Sequence, residues 1–144
     1  MKSRSLFSLR TALIAIVVVG LAIDAYVHFD LASAFRFNKT STVSETDLFR
    51  AESVAAILAA VALLVRPNRY TAGFAFLVAA AGTAAVVVTR YVDIGKIGPI
   101  PSMYDPFWLP TEKWVSALGE ACAALAALAL FVMFTVRTRR PVAV

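Results

Sequence analysis

Six ionisable residues interrupt or border the long apolar runs of this chain: Asp24, His28, Glu52, Arg90, Asp93 and Glu120. These are residue types that hold cations, carry protons or anchor a polar ligand. Asp24 and His28 are four residues apart, which puts both on one face of a helix. Glu120 follows Trp114 by six residues, about 9 Å along a helix at roughly 1.5 Å per residue. An ionisable group within lipid is costly unless it is paired or hydrated, so each of the six is a candidate for ligand or ion binding. Two readings follow. In one, Arg90 is shared among Glu120, Asp24 or Glu52 and holds the helices in register. In the other, the group forms an extracytoplasmic pocket for a cation, a proton or a small polar ligand, with His28 as a titratable member.

Other chemistries fare worse. One His beside several carboxylates suits a divalent ion, yet HxxxH, HxxE and CxxC spacings are all missing, so any metal is unspecified and no cofactor is expected. A single His excludes bis-histidine haem in a monomer, and nothing in the spacing of Met103 argues for a His/Met pair. Cys122 is the only cysteine, which excludes dithiol exchange and makes it a small packing residue. Ser33, Ser41 and Ser44 lie near His28 in sequence without a nucleophile-elbow pattern, and no catalytic residue is identified. An enzyme is therefore the third choice. A binding, accessory or scaffold role comes first, and a small ion- or proton-coupled transporter second.

The elements that must position these residues are transmembrane helices. The chain has 144 residues, 60% hydrophobic and 16% charged, with a mean hydropathy of +0.79. That composition excludes a soluble globule, a disordered tail and a nucleic-acid arm. A bilayer core needs about 20 apolar residues of helix, because every backbone amide must be paired internally in lipid. Four stretches qualify, at about 9–28, 48–65, 71–89 and 114–136, giving an all-α, single-domain, four-helix membrane bundle over residues 1–144. Apolar residues Thr11 to Ile23 followed by Ala32-Ser33-Ala34 have the outline of a signal peptide, but the charged stretch between them is too long for a cleavage region. The first span is therefore expected to be retained.

Charge gives the orientation. Lys2, Arg4, Arg10, Arg66, Arg69, Arg137, Arg139 and Arg140 lie on one side with no acid among them. All nine carboxylates and the remaining six cations fall on the other, so the two sides carry +8 and −3 and account for the net +5. By the positive-inside rule both termini are cytoplasmic, and the outer loops are 29–47 and 91–113. The high pI thus records insertion, and no nucleic-acid partner is expected.

The halves of the chain look alike. Glu52-Ser-Val-Ala-Ala-Ile-Leu-Ala lies without a gap on Glu120-Ala-Cys-Ala-Ala-Leu-Ala-Ala, and Tyr26-Val27 matches Tyr91-Val92. The alternatives are two parallel repeated hairpins and a chance alignment of Ala-rich helices. Gly119, Ala123 and Ala127 at four-residue intervals, and Ala79 to Gly82, are the small residues expected where helices approach closely. Val17 to Val19 and Val86 to Val88 read as lipid-facing or filler, and Tyr70, Tyr91, Trp108 and Trp114 as interfacial aromatics.

The first outer loop, rich in Ser and Thr, reads as flexible. The second holds Pro99, Pro101, Pro106 and Pro110 with Tyr104, Phe107 and Trp108, and reads as an ordered cap: a lid, or a docking surface for another membrane protein. Asn38-Lys39-Thr40 matches a glycosylation acceptor, relevant only in a glycosylating pathway.

Asp24-Ala-Tyr-Val-His28, Leu48-Phe-Arg-Ala-Glu52 and Arg90-Tyr-Val-Asp93 with its Pro-rich loop resemble small bacterial four-helix membrane proteins of DoxX-like architecture, over the whole chain in span count and topology. The resemblance implies a bacterial inner-membrane protein. That family's glycine-and-lysine pattern in the first span is missing here, so no redox activity is carried over. Small multidrug transporters share four spans, but their essential carboxylate is in the first span whereas Asp24 lies near its outer end, and their weak charge bias contrasts with +8 on one side here.

Overall fold

The computed structural model describes residues 2–108 and 111–138. Arg139, Arg140 and Pro110 lie outside the described residues, as do the side chains of Lys2 and Arg4. Four helices follow one another: α1 (Lys2–Leu31), α2 (Glu45–Val65), α3 (Arg69–Tyr91) and α4 (Glu112–Thr138). Each contains a stretch long and apolar enough to cross a membrane.

α2 and α3 begin ahead of their apolar runs because polar caps start them early. Ser44 accepts the Asp47 N–H, and Asp47 in return accepts the Ser44 N–H, a capping box that begins α2 ahead of its first apolar turn. Asn68 and Thr71 make the same reciprocal pair at α3. Two opposite helix ends, the C-terminus of α2 and the N-terminus of α3, are thus satisfied within the short Arg66-Pro67-Asn68 turn.

The helices pack as a ring in chain order, with α4 closing onto α1. Inward positions recur at helical spacing: Ala56, Ala59, Ala60 and Leu63 on α2; Ala72, Ala75, Val78, Ala79 and Gly82 on α3; Ala123, Ala127 and Leu130 on α4, with Val17 and Leu21 from α1. Of the valines read as lipid-facing or filler, Val17 is packed in the core and Val19 faces outward. The outer surface is also apolar, with Val54, Ile57, Leu58, Leu77, Leu118 and Leu125 all exposed, a surface of the kind that lipid tails solvate. Cys122 is on this surface, not in the packing as its size and position suggested.

The tightest seam is α1–α4. A Cβ placed on Gly20 would stand 2.4 Å from the Gly119 carbonyl oxygen and 2.9 Å from Ala123 Cβ, so the backbones touch through glycine. The α2–α3 seam is the least extensive of the four, and it opens toward the end of the bundle that carries the two long loops.

Candidate functional site

The site lies in the loop-end half of the bundle, and all four helices contribute. From α1 come Asp24 and His28, stacked one turn apart, with His28 Nδ1 2.6 Å from Asp24 Oδ1 and 3.1 Å from the Asp24 carbonyl oxygen. α4 brings Ser116 and Glu120, again one turn apart. The Ser116 hydroxyl is 2.9 Å from Glu120 Oε1 and 3.3 Å from Asp24 Oδ1. One hydroxyl hydrogen therefore serves two carboxylates, and it cannot satisfy both fully.

Glu52 of α2 and Glu120 meet over a glycine. A Cβ on Gly82 of α3 would lie 2.6 Å from Glu120 Oε2 and 3.4 Å from Glu52 Oε1, so a side chain there would push the Glu120 carboxylate aside. Asp24 and Glu120 are 0% and 1% exposed, which removes them from every outer surface. Even so, Asp24 Oδ2, Glu52 Oε1 and Glu120 Oε2 are buried with no hydrogen-bond partner among the described residues. Buried acceptors are nearly always paired, so three orphans in one cluster demand an explanation.

Arg90 does not supply it. Its Nε is itself buried without a partner, and its guanidinium carbon sits 5.1 Å from the centre of the Tyr91 ring and 5.8 Å from that of Trp108. No Arg90 ion pair forms among the described residues, so the register-holding network expected of it is not built. Asp93 is also apart from the cluster: it is exposed, and its Oδ1 accepts the Gly95 N–H at 3.0 Å in a local turn. The structure thus brings together Asp24, His28, Glu52 and Glu120, with Arg90 at the rim.

Beside these carboxylates lies a pocket of about 530 Å³ between α2 and α3. That size is ordinary for a small-molecule site. Glu52, Gly82, Ser116, Glu120 and His28 line its deep end, while Asp24 stands behind them. Leu31, Phe35, Leu48, Phe49, Ala85 and Val86 make apolar wall, while Glu45, Arg90 and the paired Asp105 and Lys113 also line it. Val86 is therefore pocket wall rather than filler. The His28 ring meets Phe49 edge-on at 5.1 Å, and Phe35 packs on Phe49 at the same distance.

The second loop covers the mouth, as the prolines suggested. Ile97 and Ile100 exchange backbone hydrogen bonds around Gly98, whose φ of +56° favours glycine. The Asp105 N–H donates to the Thr89 carbonyl at 3.0 Å, and the Asp105 side chain pairs with Lys113. Trp108 stacks on Trp114 at 4.0 Å and lines the pocket, while Phe107 and Tyr104 remain partly exposed.

The first loop is fixed to the second, contrary to the flexibility its Ser and Thr content suggested. Asn38 Nδ2 donates to the Ser102 carbonyl at 2.7 Å and to Glu45 Oε2 at 2.6 Å, and the Thr40 hydroxyl donates to the Pro99 carbonyl at 2.7 Å. These pins engage backbone acceptors in a loop where proline has removed donors, leaving carbonyls to be satisfied from outside.

Sequence reasoning missed Ser116, Gly82, Phe49 and the Asn38 and Thr40 pins. A polar residue one turn before Glu120 in an apolar run was a usable signal for Ser116. Nothing local marks Gly82. For a metal, Asp24, His28 and Glu120 offer one ligand atom each, all within 4.8 Å of one another, so a mixed oxygen and nitrogen set is sterically available. Nδ1 already engages Asp24, and a metal would have to replace that contact. No family model, characterised protein or solved structure matches the chain.

Proposed function

We propose that this is a multi-pass membrane protein that binds a small amphipathic cation in the α2–α3 pocket, its positive group on Glu120 and Glu52 and its apolar part against Phe35, Phe49 and the Ala85–Val86 wall. The observation that carries this is the pair of orphaned carboxylate oxygens converging over Gly82 at the deep end of an apolar pocket. Acceptors left without protein donors favour a ligand that brings its own, and an ammonium donates to carboxylates with charge assistance. The lysine and arginine distribution supports an orientation with both termini cytoplasmic and the loop end outward. The DoxX-like resemblance supports a bacterial inner membrane. Convergence of Glu52 and Glu120 over Gly82 is compatible with two parallel hairpins related by an axis along the membrane normal. Phe107 and Tyr104, exposed on the cap, leave an accessory role toward another membrane protein on the same outer face.

A matched pair of probes tests it: 4-butylbenzylamine, which is cationic, and 4-butylbenzyl alcohol, which is neutral and of similar shape. Binding to the purified chain is read from tryptophan fluorescence, since Trp108 lines the pocket. The amine should bind saturably and about tenfold or more tighter than the alcohol, the ~1.4 kcal/mol or more expected of a charge-assisted contact. Glu120→Gln should erase that difference. Equal binding of amine and alcohol by the unmodified chain refutes the proposal.

The same cluster favours a second reading, a proton- or cation-coupled carrier, because three membrane-embedded carboxylates face one imidazole without an arginine partner. Amine-driven proton movement in proteoliposomes, lost in Glu120→Gln, distinguishes it from binding alone.

A further inference from the structure

The end of the bundle opposite the pocket carries a second cavity with the reverse charge. Arg10 of α1, Arg66 and Arg69 at the α2–α3 turn and Arg137 of α4 surround one cleft of about 810 Å³. No carboxylate lines it, and none of the four is ion-paired among the described residues. Two are braced by aromatic rings. The Arg10 guanidinium carbon is 4.9 Å from the centre of the Phe134 ring, and that of Arg69 is 4.7 Å from Tyr70, whose hydroxyl accepts from Arg69 Nη2 at 2.6 Å.

Four like charges around one space repel one another, and an anion between them removes that penalty. Guanidinium groups present paired N–H donors that match phosphate oxygens. The first free amides of α3 are already taken by Asn68, so the donors here are side chains converging from separate segments rather than a helix end. Positive residues at one end of a bundle are explained by insertion alone. Their convergence from three parts of the chain on a single cleft is not.

The surroundings of the cleft select among phosphates. Phe134 and Tyr70, the latter 71% exposed, line it alongside the arginines, and Leu9 and Val65, next in sequence to Arg10 and Arg66, are exposed apolar residues. A free phosphate has no use for such a margin, whereas acyl chains descending from a bound headgroup would cover it. We propose that this cleft binds the phosphodiester headgroup of an anionic phospholipid, held by Arg10, Arg66, Arg69 and Arg137. Basic pockets between helices at headgroup depth suit such lipids. In the proposed orientation the lipid belongs to the cytoplasmic leaflet, but the binding itself does not depend on the pocket at the other end.

The test uses the full chain in phosphatidylcholine nanodiscs with and without phosphatidylglycerol, with retained lipid counted by native mass spectrometry. Reconstitution of purified protein keeps insertion orientation out of the comparison. Phosphatidylglycerol should be retained about tenfold or more in preference to phosphatidylcholine, each tenfold being ~1.4 kcal/mol. Arg66→Gln combined with Arg137→Gln should remove the preference, while Arg66→Lys with Arg137→Lys should keep most of it. Arg36→Gln combined with Arg50→Gln, the same loss of two charges at the loop end, should leave it intact. Equal retention of the two lipids, or an equal loss in Arg36→Gln with Arg50→Gln, overturns the site. Inorganic phosphate that binds in phosphatidylcholine nanodiscs with the same arginine dependence, and displaces phosphatidylglycerol, assigns the cleft to free phosphate and overturns the lipid assignment.

Discussion

The α1–α4 and α2–α3 seams use the same device for opposite ends. At Gly20 the missing side chain lets its backbone touch that of Gly119, and a Cβ there would not fit. At Gly82 the missing side chain leaves room for two carboxylates, and a pocket opens beside them. A small residue in a membrane helix therefore has no fixed meaning. What stands opposite it decides whether it closes a seam or furnishes a site. One seam supplies the stability that lets the other hold unpaired acceptors inside the bundle.

The largest effect is expected where the contact is backbone on backbone. Gly20→Val should cost about 3 kcal/mol or more, because neither the Gly119 carbonyl nor its helix can step aside. Heat-dependent size exclusion in mild detergent would show the folded peak lost or greatly lowered in Tm. Gly119→Ala is the internal contrast: its nearest neighbour would be 3.4 Å away, so it should cost under ~1 kcal/mol. Equal effects would mean the seam is not closed on Gly20.

Next comes Glu120→Gln, which should separate function from stability. Amine binding should fall by about tenfold or more. The Tm should hold or rise, because a buried carboxylate without a cationic partner is replaced by a neutral amide. A fall in Tm comparable with Gly20→Val would return Glu120 to a structural role.

Gly82→Ala should have a smaller effect on both counts. The atom it strikes is the free end of Glu120, so the carboxylate shifts by tenths of an ångström and the fold loses under ~1 kcal/mol. Amine affinity, which depends on that oxygen's position, should still drop by about threefold to tenfold. Isothermal titration alongside thermal unfolding reads both.

The smallest effect belongs to the pins between the loops. Asn38→Ala and Thr40→Ala should each cost about 1 kcal/mol, and they should speed amide exchange at Ile97 and Ile100 without changing exchange in the α1–α4 seam. Uniform acceleration through the bundle would contradict the division between the two seams.

Much of the architecture was legible in the sequence because four apolar runs of spanning length leave little but helix. Backbone pairing and span length allow few alternatives to four helices, and Gly119, Ala123 and Ala127 announced a close approach by their spacing alone. Asp24, His28, Glu52 and Glu120 stood out for the same reason, since ionisable groups are scarce in such runs. Asp93 and Arg90 were harder. Their sequence positions fit the cluster, but which way a residue at a helix end faces depends on the loop that follows, and Asp93 is claimed by its own turn with Gly95. Gly82 was not legible at all, because its role exists only relative to Glu52 and Glu120 on two other helices. The first loop misled by composition: Ser, Thr and Asn suit a flexible segment, yet the same groups are the donors that a proline-rich neighbour lacks.

The central claim is that the α2–α3 seam admits water and solutes from the loop end at a depth where the neighbouring surface meets lipid. Val86 lines the pocket, and Val87, one residue on, is exposed on the apolar exterior. In a Cys122→Ser background, Val86→Cys and Val87→Cys variants in proteoliposomes can be treated with a charged maleimide from the loop side. The thiolate that reacts needs water to form, so Val86→Cys should be modified about tenfold or more faster, and 4-butylbenzylamine should protect it. Equal rates at the two positions, or a rate at Val86→Cys that the amine does not change, would contradict the account.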